Sequence, residues 1–580
     1  MAEYDILIRG GTVVDGTRVP RYQADVAIKD GRIVQIGGMR NGNGNGGARQ
    51  VLDASGLIVA PGFVDLHTHY DAQIQWDPYC TISGWHGVTS VVLGNCGFGF
   101  APVRPEERDR AMLTMSRTEA IPFESMKAGM LWDWVTFPEW LDSLDRLPKG
   151  VNCLSYVPVA PLMIWAMGLE AAKSRAATPA ERREMQRLLH EAMDAGACGF
   201  STQRLGEHSV QADYDGTPMV TDTMTDEDCL ALAEVLRERD EGFIQITQFT
   251  GNIKADLAFQ ERLAEVSGRP VLHNIITVSN KDPDVHRKRM HWLEGANQRG
   301  LRLFGQGFTA RTGFAFTLEN WNLYDSSPAW NTATTGTLEE KKRKMADPAI
   351  RAAIRAEHAE AAEKLRQTQA IGGPVEELVV QWVDQRPELE QYVGRNVGEI
   401  AAAQGKDPVD AMLDLSLAGD LKVEFVTPDR GANPEWTAEM VQSPYVFPGV
   451  SDGGAHTKFF TGGSYTTDFI TWMVRDTSLL SLEEAHYRLS YLPAHAAGFK
   501  DRGFLREGAP ADIVVYDLAQ LNRDPEWVGE VVQDFPAGEW RRVQRAEGYR
   551  WIMVNGEVTF EEGRSTGATP GKLLRRGKAG

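Results

Sequence analysis

Basic charge is scarce in this chain. Its 61 lysines and arginines face 80 aspartates and glutamates, a net charge of −19. A nucleic-acid surface is normally basic, so that role is excluded. Cysteine is sparse too: positions 80, 96, 153, 198 and 229 hold all five, with no Cys-x-x-Cys pair. An odd, unpaired set excludes a disulfide scaffold and points to a reducing compartment. Long apolar runs are lacking. The stretch 151–169 is uncharged, but Asn152, Pro158 and Pro161 interrupt it, so it reads as a buried strand running into a loop, and no membrane partner is expected. The start, Met1-Ala2-Glu3-Tyr4-Asp5, is acidic and leads into a strand; it has no basic, then apolar, leader pattern, and the expected location is cytoplasmic.

What the chain does have is His67-Thr68-His69, closing the apolar run from Leu57 to Leu66. That run reads as a buried β-strand ending in two imidazoles. Residues i and i+2 of a strand point the same way, so both rings can reach one metal ion, and imidazole suits zinc and similar divalent ions. A lone His-x-His is a weak signal. Two later clusters strengthen it: Gly94-Asn95-Cys96-Gly97 after the next strand and Ser451-Asp452-Gly453-Gly454 after a much later one.

Three regions follow one another. Residues 4–60 alternate apolar and polar, with an Asp30-Gly31 hairpin turn and a flexible loop at 41–47. Residues 61–500 alternate strand and helix, with strands expected at 58–66, 88–94, 151–158, 198–202, 243–248, 271–276, 301–307 and 446–451. Thr178-Pro179-Ala180-Glu181 and Ser481-Leu482-Glu483-Glu484 read as helix starts of the capping-box kind. Eight strands separated by helices predict an α/β fold, a (β/α)8 TIM-like barrel, with a long insertion at about 310–440. Strands return at 505–570. Residues 1–60 and 501–580 are therefore expected to build one small β-sandwich domain from both chain ends, beside a barrel of residues 61–500.

These motifs resemble the amidohydrolase superfamily, and within it the D-aminoacylase branch, the N-acyl-D-amino-acid deacylases. The matching stretches are Ala60 to His69 (APGFVDLHTH), Gly94 to Gly97, Ser451 to Gly453, Arg502 to Val514 (RGFLREGAPADIV) and Val554-Asn555-Gly556. The resemblance implies a metal-dependent hydrolase that cleaves a C–N amide bond of a small molecule. It implies one or two divalent ions, zinc above all, held by His67, His69, Cys96, His273 and Asp452. Asp452 would also be the general base, moving a proton from the attacking water to the departing nitrogen. Many amidohydrolases bridge their metals with a carboxylated lysine on strand four. Strand four here ends Gly199-Phe200-Ser201-Thr202-Gln203 without a lysine, and Cys96 is the substitute that the D-aminoacylase branch implies. Where the branch expects a histidine on strand five, Gln248 stands, which leaves one or two ions open.

Substrate recognition departs from the branch. The arginine expected after the strand-eight aspartate is absent, and Lys458 is the nearest cation. Arg204 and His208 follow strand four, and His456 follows Asp452; all four are candidate substrate contacts. Phe123, Trp132, Trp134, Trp140, Trp165, Trp321, Tyr324 and Trp330 crowd the loop regions; most read as packing, a few as walls for a bulky apolar group. His86, His190, His358, His486 and His495 read as structural, and His286 and His291 as a solvated basic helix face. Rival readings are cyclic imide or ester hydrolysis, deamination, decarboxylation, or a non-catalytic binding relative. A homo-oligomer is the default for such relatives.

Overall fold

The chain's structure, a computed structural model, describes residues 3–38, 47–206, 211–280, 282–319, 324, 327–368, 373–429 and 431–576. His208, Trp321 and the loop at 41–46 lie outside the described residues. No helix among those described is long and apolar enough to cross a membrane.

Both chain ends share one nine-stranded sheet. Tyr4–Val13 pairs with Tyr22–Lys29, which turns back into Arg32–Gly37 through Asp30 and Gly31, at φ 49° and 76°. Two successive left-handed residues are what a tight hairpin turn demands. Ile58–Pro61 lies antiparallel to Ile513–Tyr516, and Tyr549–Val554 and Glu557–Glu561 continue the sheet. Ile8, Val26, Val59, Ile513, Val515 and Met553 pack one core from both ends of the sequence.

The strand expected at 58–66 divides at Gly62. Ile58–Pro61 belongs to the nine-stranded sheet, whereas β1, Phe63–Asp65, starts a parallel one. A Cβ at Gly62 would stand 2.3 Å from the Thr89 side chain, so the crossing between the two sheets takes only glycine. The parallel strands then run in sequence order: β2 Val88–Leu93, β3 at 152–158, β4 Gly199–Arg204, β5 Phe243–Gln248, β6 Val271–Ile276, β7 Leu303–Phe308 and β8 Val446–Gly449. Within β3, Asn152–Ser155 pairs with β2 and Val157–Pro158 with β4. An isolated parallel bridge, Thr68 to Gly453, joins the segment after β1 to the segment after β8, and the His69 N–H donates to the Gly453 carbonyl at 2.6 Å.

Helices alternate with these strands. α1, Arg108–Thr118, lies between β2 and β3; α2, Pro179–Ala195, between β3 and β4. α3, Asp226–Arg239, α4, Ile253–Ser267, and α5, Asp284–Gln298, follow β4, β5 and β6. The Thr178 capping box forms as its sequence predicts: its hydroxyl accepts from Glu181 N–H, and the Glu181 carboxylate accepts from Thr178 N–H. α5 departs from expectation. His291 is exposed, but His286 is fully buried, 6.3 Å from the Trp436 ring and 3.6 Å from Glu439, because a second helix, Pro434–Gln442, covers that face.

Between β7 and β8 the chain builds its own apolar cluster, including Leu318, Trp330, Ile354, Val397, Leu413 and Phe425. It also forms a three-stranded antiparallel sheet of Ala315–Phe316, Glu424–Val426 and Val379–Trp382.

Candidate metal centre

The loops that leave the C-terminal ends of β1, β2 and β8 converge. His67 and His69 are buried, with rings 5.6 Å apart. The Gly94–Gly97 loop delivers Cys96 at φ 55°, after Gly94 at φ 78°. Several bonds hold it there. Asn95 Nδ2 donates to the carbonyls of Thr68 and Val92, Gly94 N–H to the Asp71 carboxylate, and Cys96 N–H to Gln245 Oε1. The ligand atoms of His67, His69 and Cys96 all lie within 4.8 Å of one another. Asp452 Oδ1 adds a carboxylate oxygen 3.2 Å from His67 Nε2 and 3.8 Å from His69 Nε2. Two imidazoles, a thiol and a carboxylate are the donor types that zinc takes. The buried His69 Nδ1 has no partner among the described residues, and Cys96 Sγ faces His67 Nε2 at 3.5 Å. The set fits a divalent ion.

Burial sets the local electrostatics. It pulls His69 down to about 3, with the Asp452 charge opposing and His67 and His456 adding to the shift, so this ring is neutral and offers a lone pair, the form that binds metal. Burial also pushes Asp65 up to about 6 and Asp71 up to about 7, against the hydrogen bonds each accepts. At Asp452 burial is outweighed chiefly by the bond to His67 and the His67 charge, which hold the carboxyl well below its usual range.

Two expected residues stand elsewhere. In a parallel sheet, paired residues share a face. The register aligns Thr247, Asn274, Gln306 and Phe447 on one face, and Ile246, His273, Gly305 and Val446 on the other. The first set looks into the site: Gln306 Oε1 is 3.2 Å from His67 Nδ1, and Thr247 Oγ1 is 3.3 Å from Cys96 Sγ. His273 therefore points away, to the helices, with Nδ1 2.9 Å from Gln260 Oε1 and its ring 5.2 Å from Trp292. Gln248 is on the same outer side and accepts from Gln260 Nε2 at 3.3 Å. The expected His273 ligand is thus corrected: the residues facing the centre from β5 and β6 are Thr247 and Asn274.

Arg204 is corrected likewise. Its guanidinium lies over the Phe259 ring of α4 at 4.3 Å and pairs with Asp226 of α3 at 2.7 Å, a clamp between helices. Arg204→Ala is expected to cost about 1–2 kcal/mol of stability and to leave KM unchanged; a raised KM at unchanged melting temperature would return it to the substrate site. Lys458 pairs with Glu539 at 2.8 Å beside the Trp540 ring. His456 does reach the centre, where sequence reasoning missed its neighbour Glu119. That carboxylate is 1% exposed, 3.6 Å from His456 Nε2 and 3.9 Å from His69 Nε2, and burial, then the Asp452 charge, pushes it up to about 8. Glu119 caps the end of α1, and no motif marks it. Of the loop aromatics, Trp134, Trp140 and Trp330 are buried packing.

Known proteins resemble this chain over nearly its whole length. The model of the amidohydrolase family matches residues 50–560. An N-acyl-D-aspartate deacylase of Alcaligenes xylosoxydans xylosoxydans is 27% identical over 100% of this chain and 96% of its own. A D-aminoacylase of the same organism is 26% identical over 99% and 98%. Among solved structures, an N-acyl-D-glutamate deacylase from Bordetella bronchiseptica, complexed with zinc and a phosphonate mimic of the tetrahedral intermediate, is similar in fold. It has a TM-score of 0.65 at 24% identity, with 99% of each chain covered.

Proposed function

The chain belongs to the amidohydrolase family, and from that premise we propose that it is a metal-dependent hydrolase of amide C–N bonds whose substrate is an N-acyl-D-amino acid. The observation that carries this reading is the buried His67, His69 and Cys96 group within 4.8 Å, with Asp452 at 3.2 Å from His67. Two relatives that span nearly the whole chain are an N-acyl-D-aspartate deacylase and a D-aminoacylase. We read the two parallel sheets as one (β/α)8 barrel of residues 61–500. Residues 1–60 and 501–580 form a small β-sandwich beside it, and the segment 310–440, with its own apolar cluster, is an insertion. A homo-oligomer and a cytoplasmic location complete the reading.

His67, His69, Cys96 and Asp452 would hold the ion, zinc by preference; when bound, it activates water at neutral pH and polarises the scissile carbonyl. The chain's own groups do the rest. Gln306 fixes the His67 ring through Nδ1. Asp452, kept ionised, accepts the proton of the attacking water and returns it to the departing nitrogen, so that the C–N bond breaks to a free carboxylic acid and a free amine. Neither Arg204 nor Lys458 stands open toward a substrate carboxylate, since Asp226 and Glu539 occupy them. His456 is the polar contact we retain.

The test is metal content by elemental mass spectrometry together with turnover of an N-acyl-D-amino-acid panel followed by product mass. One or two equivalents of zinc, lost in His67→Ala along with activity, are expected. A folded chain that neither holds nor takes up metal would instead be a non-catalytic relative.

A further inference from the structure

The centre is lopsided. On the side of β5 to β7 its inward residues are Gln245, Thr247, Asn274 and Gln306, neutral amides and a hydroxyl, which hold zinc poorly. The opposite side carries a carboxyl group and an imidazole. Glu119 comes from the end of α1, and His456 from the segment after β8. The His456 N–H donates to the Glu119 carbonyl at 2.5 Å, which ties the two segments together. The residues at this tie, Ala120 and His456, have φ 48° and 50°. Both are left-handed backbone that non-glycine residues adopt only where surrounding structure demands it.

The Glu119 carboxylate is buried with no lysine or arginine among the described residues within ion-pair distance; its only partners there are His69 and His456. At 3.9 Å and 3.6 Å these are too long for hydrogen bonds. They are close to the separation of two ligands around a shared ion, about 3.4 Å when each sits about 2.1 Å from a tetrahedral metal. Cys96 Sγ to His67 Nε2, at 3.5 Å, and Asp452 Oδ1 to His67 Nε2, at 3.2 Å, show the same spacing. A buried carboxylate without a cation is costly, and a divalent ion would remove that cost.

We propose that Glu119 and His456, 3.6 Å apart, are the ligands of a second cation position beside the one held by His67, His69, Cys96 and Asp452. They stand in for the histidine that β5 lacks and the one that β6 turns outward. The proposal rests on the metallohydrolase reading above.

The experiment loads chelator-stripped, full-length protein with Co2+. It reads bound equivalents by elemental mass spectrometry and the thiolate-to-cobalt absorption band of Cys96. Wild type should hold two equivalents. The isosteric Glu119→Gln should hold one with the band intact, His456→Ala should independently do the same, and His273→Ala should keep two. A wild type that saturates at one equivalent, or two equivalents retained in both Glu119→Gln and His456→Ala, or loss of one in His273→Ala, overturns this proposal and leaves the hydrolase reading standing. A folded wild type that takes up no Co2+ overturns the hydrolase reading and this one with it.

Discussion

Asp452→Ala is expected to lower kcat by about 10³-fold while the chain still binds metal through His67, His69 and Cys96. The reasoning starts from position. Asp452 follows β8 at φ 49°, and the turn that holds it is bonded to the first strand. Ser451 Oγ donates to the His67 carbonyl, Gly453 N–H donates to Ser451 Oγ, and His69 N–H donates to the Gly453 carbonyl. The carboxylate is thus fixed relative to both histidines by the backbone, 3.2 Å from His67 Nε2. Its side chain is 21% exposed, whereas those of His67 and His69 are 1% exposed, so it is the member of the group that substrate and water can reach. A group held ionised and reachable is suited to taking a proton from water; a purely structural aspartate would be bonded on every side. Turnover of N-acyl-D-amino acids and metal content, measured on the same preparation, check the assignment. Activity within ten-fold of wild type would sink it, and loss of all metal would make Asp452 a ligand first and a base second.

Much of this site could be read from the chain because strand ends and turns have local signatures. His67 and His69 are two apart on one strand, Cys96 sits in a glycine turn, and Asp452 precedes two glycines; each lies after an apolar run whose length marks a buried strand. The strand positions came out the same way, and the division at Gly62 was hidden only because one apolar run serves two sheets. What the sequence could not show is which face of a strand looks inward. β6 is buried on both faces by the helices outside and the site inside, so Val271 to Ile276 carry no polar alternation to betray the choice, whereas in β5 Gln245 and Thr247 alternate with Ile244 and Ile246. A shift of one residue moves every side chain to the other face. That is the whole difference between His273 as a ligand and His273 against Trp292. Arg204 was misjudged for the same reason, one position beyond the inward Gln203. Glu119 was invisible for a different one: it meets His69 only through the tertiary contact between the end of α1 and the segment after β8.

Asp512→Ala should be among the most destabilising single changes away from the metal centre, at about 3–5 kcal/mol. The motif from Arg502 to Val514 helped to mark the chain's family, yet its charged residues do no chemistry. Arg502 and Asp512 form an ion pair, each side chain 8% exposed. Asp512 also accepts from Asn152 Nδ2 on β3 and from Asn555 N–H after the strand Tyr549–Val554, and Arg502 Nη2 donates to Asn555 Oδ1. The Asp512 carbonyl accepts from Gly62 N–H, at the point where the first strand changes sheets. One carboxylate therefore ties the parallel strands to the sheet made from the chain ends. Removing it leaves the Arg502 guanidinium buried without its partner, and that uncompensated charge is the larger part of the cost. In a chain of this size the melting temperature should fall by about 2–4 °C. Arg502→Met alone should cost a similar amount by stranding the carboxylate. The double variant Arg502→Met with Asp512→Leu, which buries no charge, should recover part of the loss, because apolar replacement of a buried pair is often neutral. Single variants that melt with wild type would show the pair to be well hydrated. Additive losses in the double variant would show instead that the bonds to Asn152 and Asn555, and not the charges, hold the two sheets together.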